Sequence, residues 1–304
     1  MERFIVTGLN HKFAPIEIRE CLAFADQALP MALRSLREDF GVPQAVILST
    51  CNRVEIIAFG KDRECAKRVR GFLSDFHHVE ESFFSDHLYE HRGEDAVKHL
   101  FRVSSSLDSL VLGEYQILSQ LKTAYQIATQ EGTCGKAINA LMQRAFALAK
   151  EVRARTAIGA GQLSVASVAV GFIKRTFENL AEKTVLLLGA GETAQITLRH
   201  LREAGVQDVI IANRTLEKAK ELAEIFGGAA IPLDLVADYL PKADIVVSQT
   251  GATQPIITKK MVAKALKYRA SGSLFFVDLA VPRDIATDVD RLDGVYRYDV
   301  DDLE

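Results

Sequence analysis

The apolar run Val185-Leu186-Leu187-Leu188 passes directly into Gly189-Ala190-Gly191-Glu192-Thr193-Ala194, and this junction constrains the fold more than any other part of the chain. An unbroken apolar run reads as a strand covered on both faces, the pattern of a parallel sheet between helix layers. The G-x-G-x-x-[G/A] spacing that follows, opening a helix-compatible segment, is the fingerprint of a dinucleotide pyrophosphate site. Gly189 permits the tight turn, Gly191 lets the backbone approach phosphate, and Ala194 keeps the helix close to the sheet. Ala190, Glu192 and Thr193 complete the turn and the first helical residues, where free N–H groups face the phosphates. A ligand-free glycine turn is the alternative.

Strands then alternate with helices: Asp208–Ala212, Ile245–Gln249 and Leu274–Asp278 between Ala194–Glu203, Leu216–Phe226 and Thr258–Ala265. This predicts a Rossmann-type, doubly wound parallel sheet. Where an acid for the ribose hydroxyls is usual, the second strand ends in Asn213-Arg214-Thr215. A guanidinium suits a 2′-phosphate through paired, charge-assisted hydrogen bonds, so NADPH is the predicted cofactor. The alternative is a solvated arginine that opens the next helix.

A chain of 304 residues is long for one core and suits two domains. The first ninety residues read as strand Phe4–Leu9, helix Leu29–Phe40, strands Ala45–Ser49 and Val54–Phe59, helix Asp62–His77 and a short strand over His87–Glu90. The order βαββαβ is that of a ferredoxin-like unit. Residues 93–156 turn helical by their three-and-four apolar spacing. The glycine-bearing break at Ile158-Gly159-Ala160-Gly161 then sets domains of 1–157 and 158–304, the second including a linker helix. The expected class is α/β: a ferredoxin-like catalytic domain plus helices, then a Rossmann domain.

No apolar run approaches the roughly 18 to 20 residues that span a bilayer, and the N-terminus runs straight into a strand pattern without a leader, so a cytoplasmic protein with no membrane partner is expected. The net charge of -3 gives no global footprint for nucleic acid, but Lys136, Arg144, Lys150, Arg153 and Arg155 face only Glu151 in one stretch. That stretch either tracks phosphates or is a solvated helix face. Cys21, Cys51, Cys65 and Cys134 lack the paired spacing of a zinc or disulfide framework, and His87 and His91 lack that of a helical metal site, so no metal is predicted.

Cys51 stands apart from the other cysteines. It falls in a tight connection between two apolar strands, between Thr50 and Asn52 and two residues from Arg53, surroundings that favour a thiolate. By the motif alone, an inert core cysteine is the commoner outcome. His99, by its spacing on a helix, reads more readily as a helix-surface or satisfied core residue than as a functional one.

Several segments together resemble the glutamyl-tRNA reductase family. They are Gly8-Leu9-Asn10-His11-Lys12, Ser49 to Glu55, His99 with Leu107-Asp108-Ser109-Leu110-Val111-Leu112-Gly113-Glu114-Tyr115-Gln116-Ile117-Leu118, Thr156 to Gly161, Gly189 to Ala194, Asn213-Arg214-Thr215 and Asp278 to Asp284. The resemblance runs from Phe4 to about Asp299. It implies that Cys51 takes the glutamyl group from glutamyl-tRNA(Glu) as a thioester, which NADPH reduces to glutamate-1-semialdehyde, the entry to tetrapyrrole (5-aminolevulinate, haem) synthesis. It implies further that Thr50, Asn52 and Arg53 hold the glutamyl group, with Arg53 pairing a carboxylate, and that Ser109, Glu114, Tyr115, Gln116 and Gln120 complete the pocket. Glu114 would anchor the α-ammonium, and His99 would pass a proton or orient the reactants. An aminomutase that accepts the aldehyde is an implied partner. Relatives carry a C-terminal dimerisation region beyond this sequence, so the family homodimer stays open here.

Tyr115 replaces a usual proline, Ser106 a common glycine, and Ala194 the frequent last glycine of the fingerprint. Two other readings remain at this point: a non-catalytic NADPH- or tRNA-binding regulator, and a shikimate-dehydrogenase-like reductase working by direct hydride transfer.

Overall fold

The computed structural model describes residues 3–60, 64–114, 116–158, 164–269 and 272–303. The chain forms two compact units, Met1–Ser164 and Val165–Glu304. Of the break expected at Ile158 to Gly161, residues 159–161 lie outside the described residues.

The first unit runs β1 (Phe4–Asn10), α1 (Ile16–Leu22), α2 (Leu29–Glu38), β2 (Ala45–Ser49), β3 (Arg53–Phe59), α3 (Cys65–His77), α4 (Glu81–Phe84), β4 (Tyr89–Arg92), α5 (Gly93–Ser104), α6 (Gln116–Gln130) and α7 (Lys136–Arg155). Its four strands are antiparallel in the order β2-β3-β1-β4, which is the ferredoxin-like arrangement. Six consecutive residues in each of β1 and β3 are buried whichever way they point, because helices cover both sheet faces. The core draws on Ile5, Val6, Leu9, Ile47, Ile56, Leu100 and Leu121.

Two details depart from the sequence reading. The last strand begins at Tyr89 rather than His87, because Leu88 N–H donates to Ser85 O at 3.2 Å and winds Ser85–His87 into a 3-10 turn. Helix α1 adds an element to the simple βαββαβ order; its apolar Ile16, Ile18 and Leu22 are buried.

The second unit runs α8 (Val165–Thr176), β5 (Thr184–Leu188), α9 (Glu192–Glu203), β6 (Asp208–Asn213), α10 (Leu216–Phe226), β7 (Ala229–Pro232), α11 (Val236–Tyr239), β8 (Ile245–Ser248), α12 (Lys259–Tyr268), β9 (Leu274–Asp278) and β10 (Val295–Asp299). All six strands are parallel in the order β7-β6-β5-β8-β9-β10. Counted along the chain this is the 3-2-1-4-5-6 order of a dinucleotide fold, and the order reverses between β5 and β8. The two edge strands, β7 and β10, were not anticipated: one is four residues after two glycines, and the other is largely polar. No helix among the described residues is long and apolar enough to cross a membrane.

Candidate functional site

The turn that carries Cys51 is the β2–β3 hairpin. Thr50 N–H donates to Arg53 O at 2.9 Å, and the Thr50 hydroxyl accepts from the N–H groups of Asn52 and Arg53, each at 3.2 Å. A threonine hydroxyl standing in for backbone acceptors is how such a short turn is fixed. Neighbouring elements grip the outer carbonyls. Arg19 Nη1 donates to Cys51 O at 2.5 Å, and His11 N–H donates to Asn52 O at 2.9 Å. Cys51 itself is half-buried. Asn52 is buried, and its Oδ1 has no hydrogen-bond partner among the described residues.

Arg53 departs from its expected role. Its side chain is 1% exposed, with Nη1 2.5 Å from Glu55 Oε1 and Nη2 3.1 Å from Asp108 Oδ2, and Nη2 also donates to the Asp108 carbonyl. The fork holds two carboxylates of the protein instead of facing outward to a substrate, because a buried guanidinium needs its charge matched where it lies. Glu55 collects three donors on Oε1: Arg53, the Tyr89 hydroxyl, and His99 Nε2 at 2.9 Å. Burial alone would raise its pKa; Arg53, His99 and Tyr89 outweigh that and hold it down to about 2. Asp108 is also held by Lys12 Nζ at 2.7 Å and Asn10 Nδ2 at 3.3 Å; burial would raise its carboxyl, but Lys12 and Arg53 keep it below the ordinary range. Burial, with Arg53, Lys12 and Arg19 nearby, brings His11 down to about 4 and so keeps it neutral.

His99 therefore joins a defined cluster and is more than a helix-surface residue. The His91 ring lies at 4.5 Å from its own, nearly parallel. The loop after α5 is tied separately: Arg153 Nη2 donates to Glu114 O at 2.8 Å, and the Ser106 hydroxyl also donates to Glu114 O. Glu114 is buried and its carboxyl is raised by that burial, with Ser109 and Arg53 opposing the shift. Gln116 opens α6 half-buried, while Gln120 is exposed one turn on. Tyr115 lies outside the described residues.

Sequence reasoning assigned no role to Glu55, Asp108, Tyr89, Lys12 or Arg19. One signal was available. Glu55 interrupts the run Val54 to Ile57, and a lone charge in a doubly covered strand requires a partner.

In the second unit, Gly189 has φ +109°, and a Cβ there would stand 2.7 Å from Gln249 O. Gly191 caps α9 in extended backbone, and a Cβ on it would meet nothing within 4 Å. No side chain caps α9, so its first N–H groups look onto the open space that Gly191 leaves. This fits a pyrophosphate. Glu192 is exposed, Ala190 and Thr193 are half-buried, and Ala194 packs in the core. At the end of β6, Asn213 Nδ2 donates to Thr215 O at 2.8 Å and shapes the turn, while Arg214 is exposed and makes no ion pair among the described residues.

The other cysteines do not enter either cluster: Cys21 is exposed, Cys65 is buried, and Cys134 is half-buried with its thiol pushed up by burial. Among the described residues no group of His, Cys, Asp and Glu is placed to hold a metal ion.

A six-stranded sheet of this order with this fingerprint, joined in one chain to a unit presenting a turn-held cysteine, defines an NAD(P)-dependent oxidoreductase. Residues 7–156 match the model of the glutamyl-tRNAGlu reductase N-terminal domain, and residues 172–304 that of shikimate / quinate 5-dehydrogenase. The chain is 47% identical over 296 residues to the glutamyl-tRNA reductase of Alkalilimnicola ehrlichii, spanning 97% of this chain and 66% of that relative. It is 43% identical to that of Thermodesulfovibrio yellowstonii, spanning 99% and 72%. The solved glutamyl-tRNA reductase of Methanopyrus kandleri aligns over 100% of this chain and 72% of its own, at 37% identity and a TM-score of 0.51. The chain belongs to the glutamyl-tRNA reductase family. Its likeness to shikimate dehydrogenase is confined to the second unit.

Proposed function

We propose that this chain reduces glutamyl-tRNA(Glu) to glutamate-1-semialdehyde with NADPH, through a thioester on Cys51. The observation that carries the reading is the double grip on the Cys51 turn, at its own carbonyl and at that of Asn52, next to a buried cluster that contains His99. Fixing the turn that carries the nucleophile lowers the ordering cost of reaching a near-attack geometry for acyl transfer.

The Cys51 thiolate attacks the ester carbonyl carbon, the bond to the tRNA ribose oxygen breaks, and that oxygen leaves as a hydroxyl after gaining a proton. Glu55, ionised at neutral pH, accepts from His99 Nε2–H, which leaves Nδ1 as the nitrogen that exchanges a proton. Nδ1 takes the Cys51 thiol proton as the thiolate forms and returns it to the departing ribose oxygen, which balances the step. The Asn52 Oδ1 acceptor and the Glu114 carboxylate, both buried, suit the α-ammonium of the glutamyl group; the family resemblance assigns Thr50, Ser109, Gln116 and Gln120 to the same group. Arg53 acts behind them by holding Glu55 and Asp108 in place.

The residues that would hold NADPH are the Gly189 to Ala194 turn for the pyrophosphate and Asn213, Arg214 and Thr215 for the 2′-phosphate. When bound, NADPH supplies the hydride that takes the thioester to the aldehyde and frees the thiolate. The aldehyde is labile, which favours handover to an aminomutase, and the setting is the cytoplasm.

Incubating the enzyme with glutamyl-tRNA but no NADPH should add a glutamyl mass to the peptide containing Cys51. Cys51→Ser should abolish semialdehyde formation while keeping NADPH affinity. A label only on another cysteine, or retained turnover in Cys51→Ser, rejects the thioester.

A further inference from the structure

In the first unit, β1 and β3 pair with Asn10 opposite Arg53 at the Cys51 end and Phe4 opposite Phe59 at the other. These ends are roughly 20 Å apart, six residues at about 3.4 Å each. At the far end, a cavity of about 640 Å³ opens between α5 and the first half of α7. Phe4, Phe59, Val97 and Phe101 form its apolar wall, and Lys136 and Arg144 stand on the α7 side.

Helix α7 runs from this cavity back to the catalytic end, where Arg153 ties Glu114 and Ser106. Its charges divide by position. Arg153 is drawn inward, and Arg155 pairs with Glu151 at 3.0 Å. Lys136, Arg144 and Lys150 are all exposed and make no ion pair among the described residues. At about 100° per residue these three fall within a sector of roughly 120°, and the intervening Ala140 and Ala147 on that side are exposed and small. Gln143 and Glu151 also fall in this sector, Glu151 with its charge taken up by Arg155, so the face stays basic on a chain whose net charge is -3.

Uncompensated cations in a row call for a polyanion, and phenylalanine rings beside them suit an unstacked base; together these mark single-stranded or frayed RNA. A small amphipathic acid would use one cation at the cavity mouth and leave Lys150, about 9 Å further along the helix, unexplained. We infer that the exposed face of α7, with the cavity at its start, is the docking surface for the tRNA part of the substrate. Lys150, Arg144 and Lys136 take backbone phosphates, and the phenylalanine cavity takes one unpaired base. This rests on the glutamyl-tRNA reading above.

The test is binding of uncharged tRNA(Glu) across a salt series to the wild-type chain, to a K136A/R144A/K150A variant and to Ala140→Trp, which fills the cavity from an exposed position. The triple variant should bind at least tenfold more weakly and show a shallower dependence of log affinity on log salt, by about 0.7 to 0.9 per lost contact. Ala140→Trp should weaken binding severalfold with the salt slope unchanged. Melting temperature and NADPH affinity should stay at wild-type values in both. Wild-type affinity and slope in the triple variant overturn the surface, as does binding of dodecanoate in the cavity with tRNA affinity unmoved by Ala140→Trp. A wild-type chain that converts no glutamyl-tRNA would sink the underlying reading instead, whatever the variants do.

Discussion

Arg53 and Glu55 stand two residues apart on β3, and their side chains meet at 2.5 Å with 1% and 0% exposure. A buried ion pair adds little net stability, but removing one partner strands the other's charge in a medium that cannot solvate it. Arg53→Ala is therefore expected to destabilise the protein by about 3–5 kcal/mol. The Glu55 carboxyl, depressed to about 2 from its ordinary 4.5, contributes stability that is fully present above pH 4.5 and lost as pH falls towards 2. Urea unfolding at pH 7 and pH 3 reads both effects. A loss below about 1 kcal/mol in Arg53→Ala at pH 7, the size of an exposed pair, would contradict the buried assignment.

The limits of reading this cluster from sequence are physical. The Cys51 hairpin was legible because Thr50 and Asn52 are local turn formers between two apolar runs; β5 was placed to within a residue because burial on both faces leaves an unbroken apolar record, and β3 likewise because a single charge, Glu55, is all that breaks its run after Arg53. The partners of Arg53 and Asp108 leave no such record. Arg53 reaches Asp108 across 55 residues, and Lys12 reaches it across 96. Long-range charge pairing has no period, so the assignment of Arg53 to a substrate carboxylate rested on the family resemblance alone, and its guanidinium is held by Glu55 and Asp108. β10 escaped notice for the opposite reason: an edge strand such as Val295–Asp299 carries the polar residues that disguise it as loop.

The two fingerprint glycines separate folding from ligand binding. Gly189→Ala adds a Cβ 2.7 Å from Gln249 O at φ +109°, so it should lower the melting temperature of the ligand-free protein and reduce NADPH affinity together. Gly191→Ala has no neighbour to strike and an extended backbone, so the ligand-free melting temperature should hold. Its methyl group instead enters the space in front of α9, and NADPH affinity should fall by roughly tenfold or more, about 1.4 kcal/mol. Thermal melts beside fluorescence titration distinguish the cases; unchanged NADPH affinity in Gly191→Ala would remove that turn from the site.

Ser106 occupies the left-handed region at φ +60° while its hydroxyl donates to Glu114 O. The conformation costs a non-glycine residue about 1 kcal/mol, and the buried hydrogen bond returns about the same. Ser106→Gly should thus be near neutral, whereas Ser106→Ala, which loses the bond and keeps the strain, should be less stable than Ser106→Gly by about 1 kcal/mol. Denaturant midpoints at constant slope provide the comparison. An alanine variant as stable as the glycine variant would mean that the backbone relaxes out of the left-handed region when the hydroxyl is gone.

Asp278 and Asp284 stand together at the ends of β9 and its following loop, both fully buried. Asp284 accepts from the Ser248 hydroxyl at 2.6 Å and from Thr250 N–H at 2.7 Å, fixing the loop after β8; Asp278 accepts from Ala280 and Ile285 N–H at 3.1 and 2.8 Å. Burial first, and then Asp284, push the Asp278 carboxyl from 3.8 up to about 8, so the folded protein holds a proton there at neutral pH that the unfolded chain releases. Because the folded state binds the extra proton, Asp278 lowers stability as pH rises from about 4, and the loss is complete near pH 8. Asp278→Asn removes that dependence but sets an amide donor against one of the two N–H groups, an offset of about 1–3 kcal/mol that does not vary with pH. The stability of the variant relative to wild type should therefore improve steadily between pH 4 and 8 and level off above. Unfolding free energies of the two proteins in matched buffers give this difference, and every group they share cancels. A difference that stays flat across pH 4 to 8 would show that Asp278 is ionised in the folded protein and that another cation-bearing partner, rather than a proton, balances the pair.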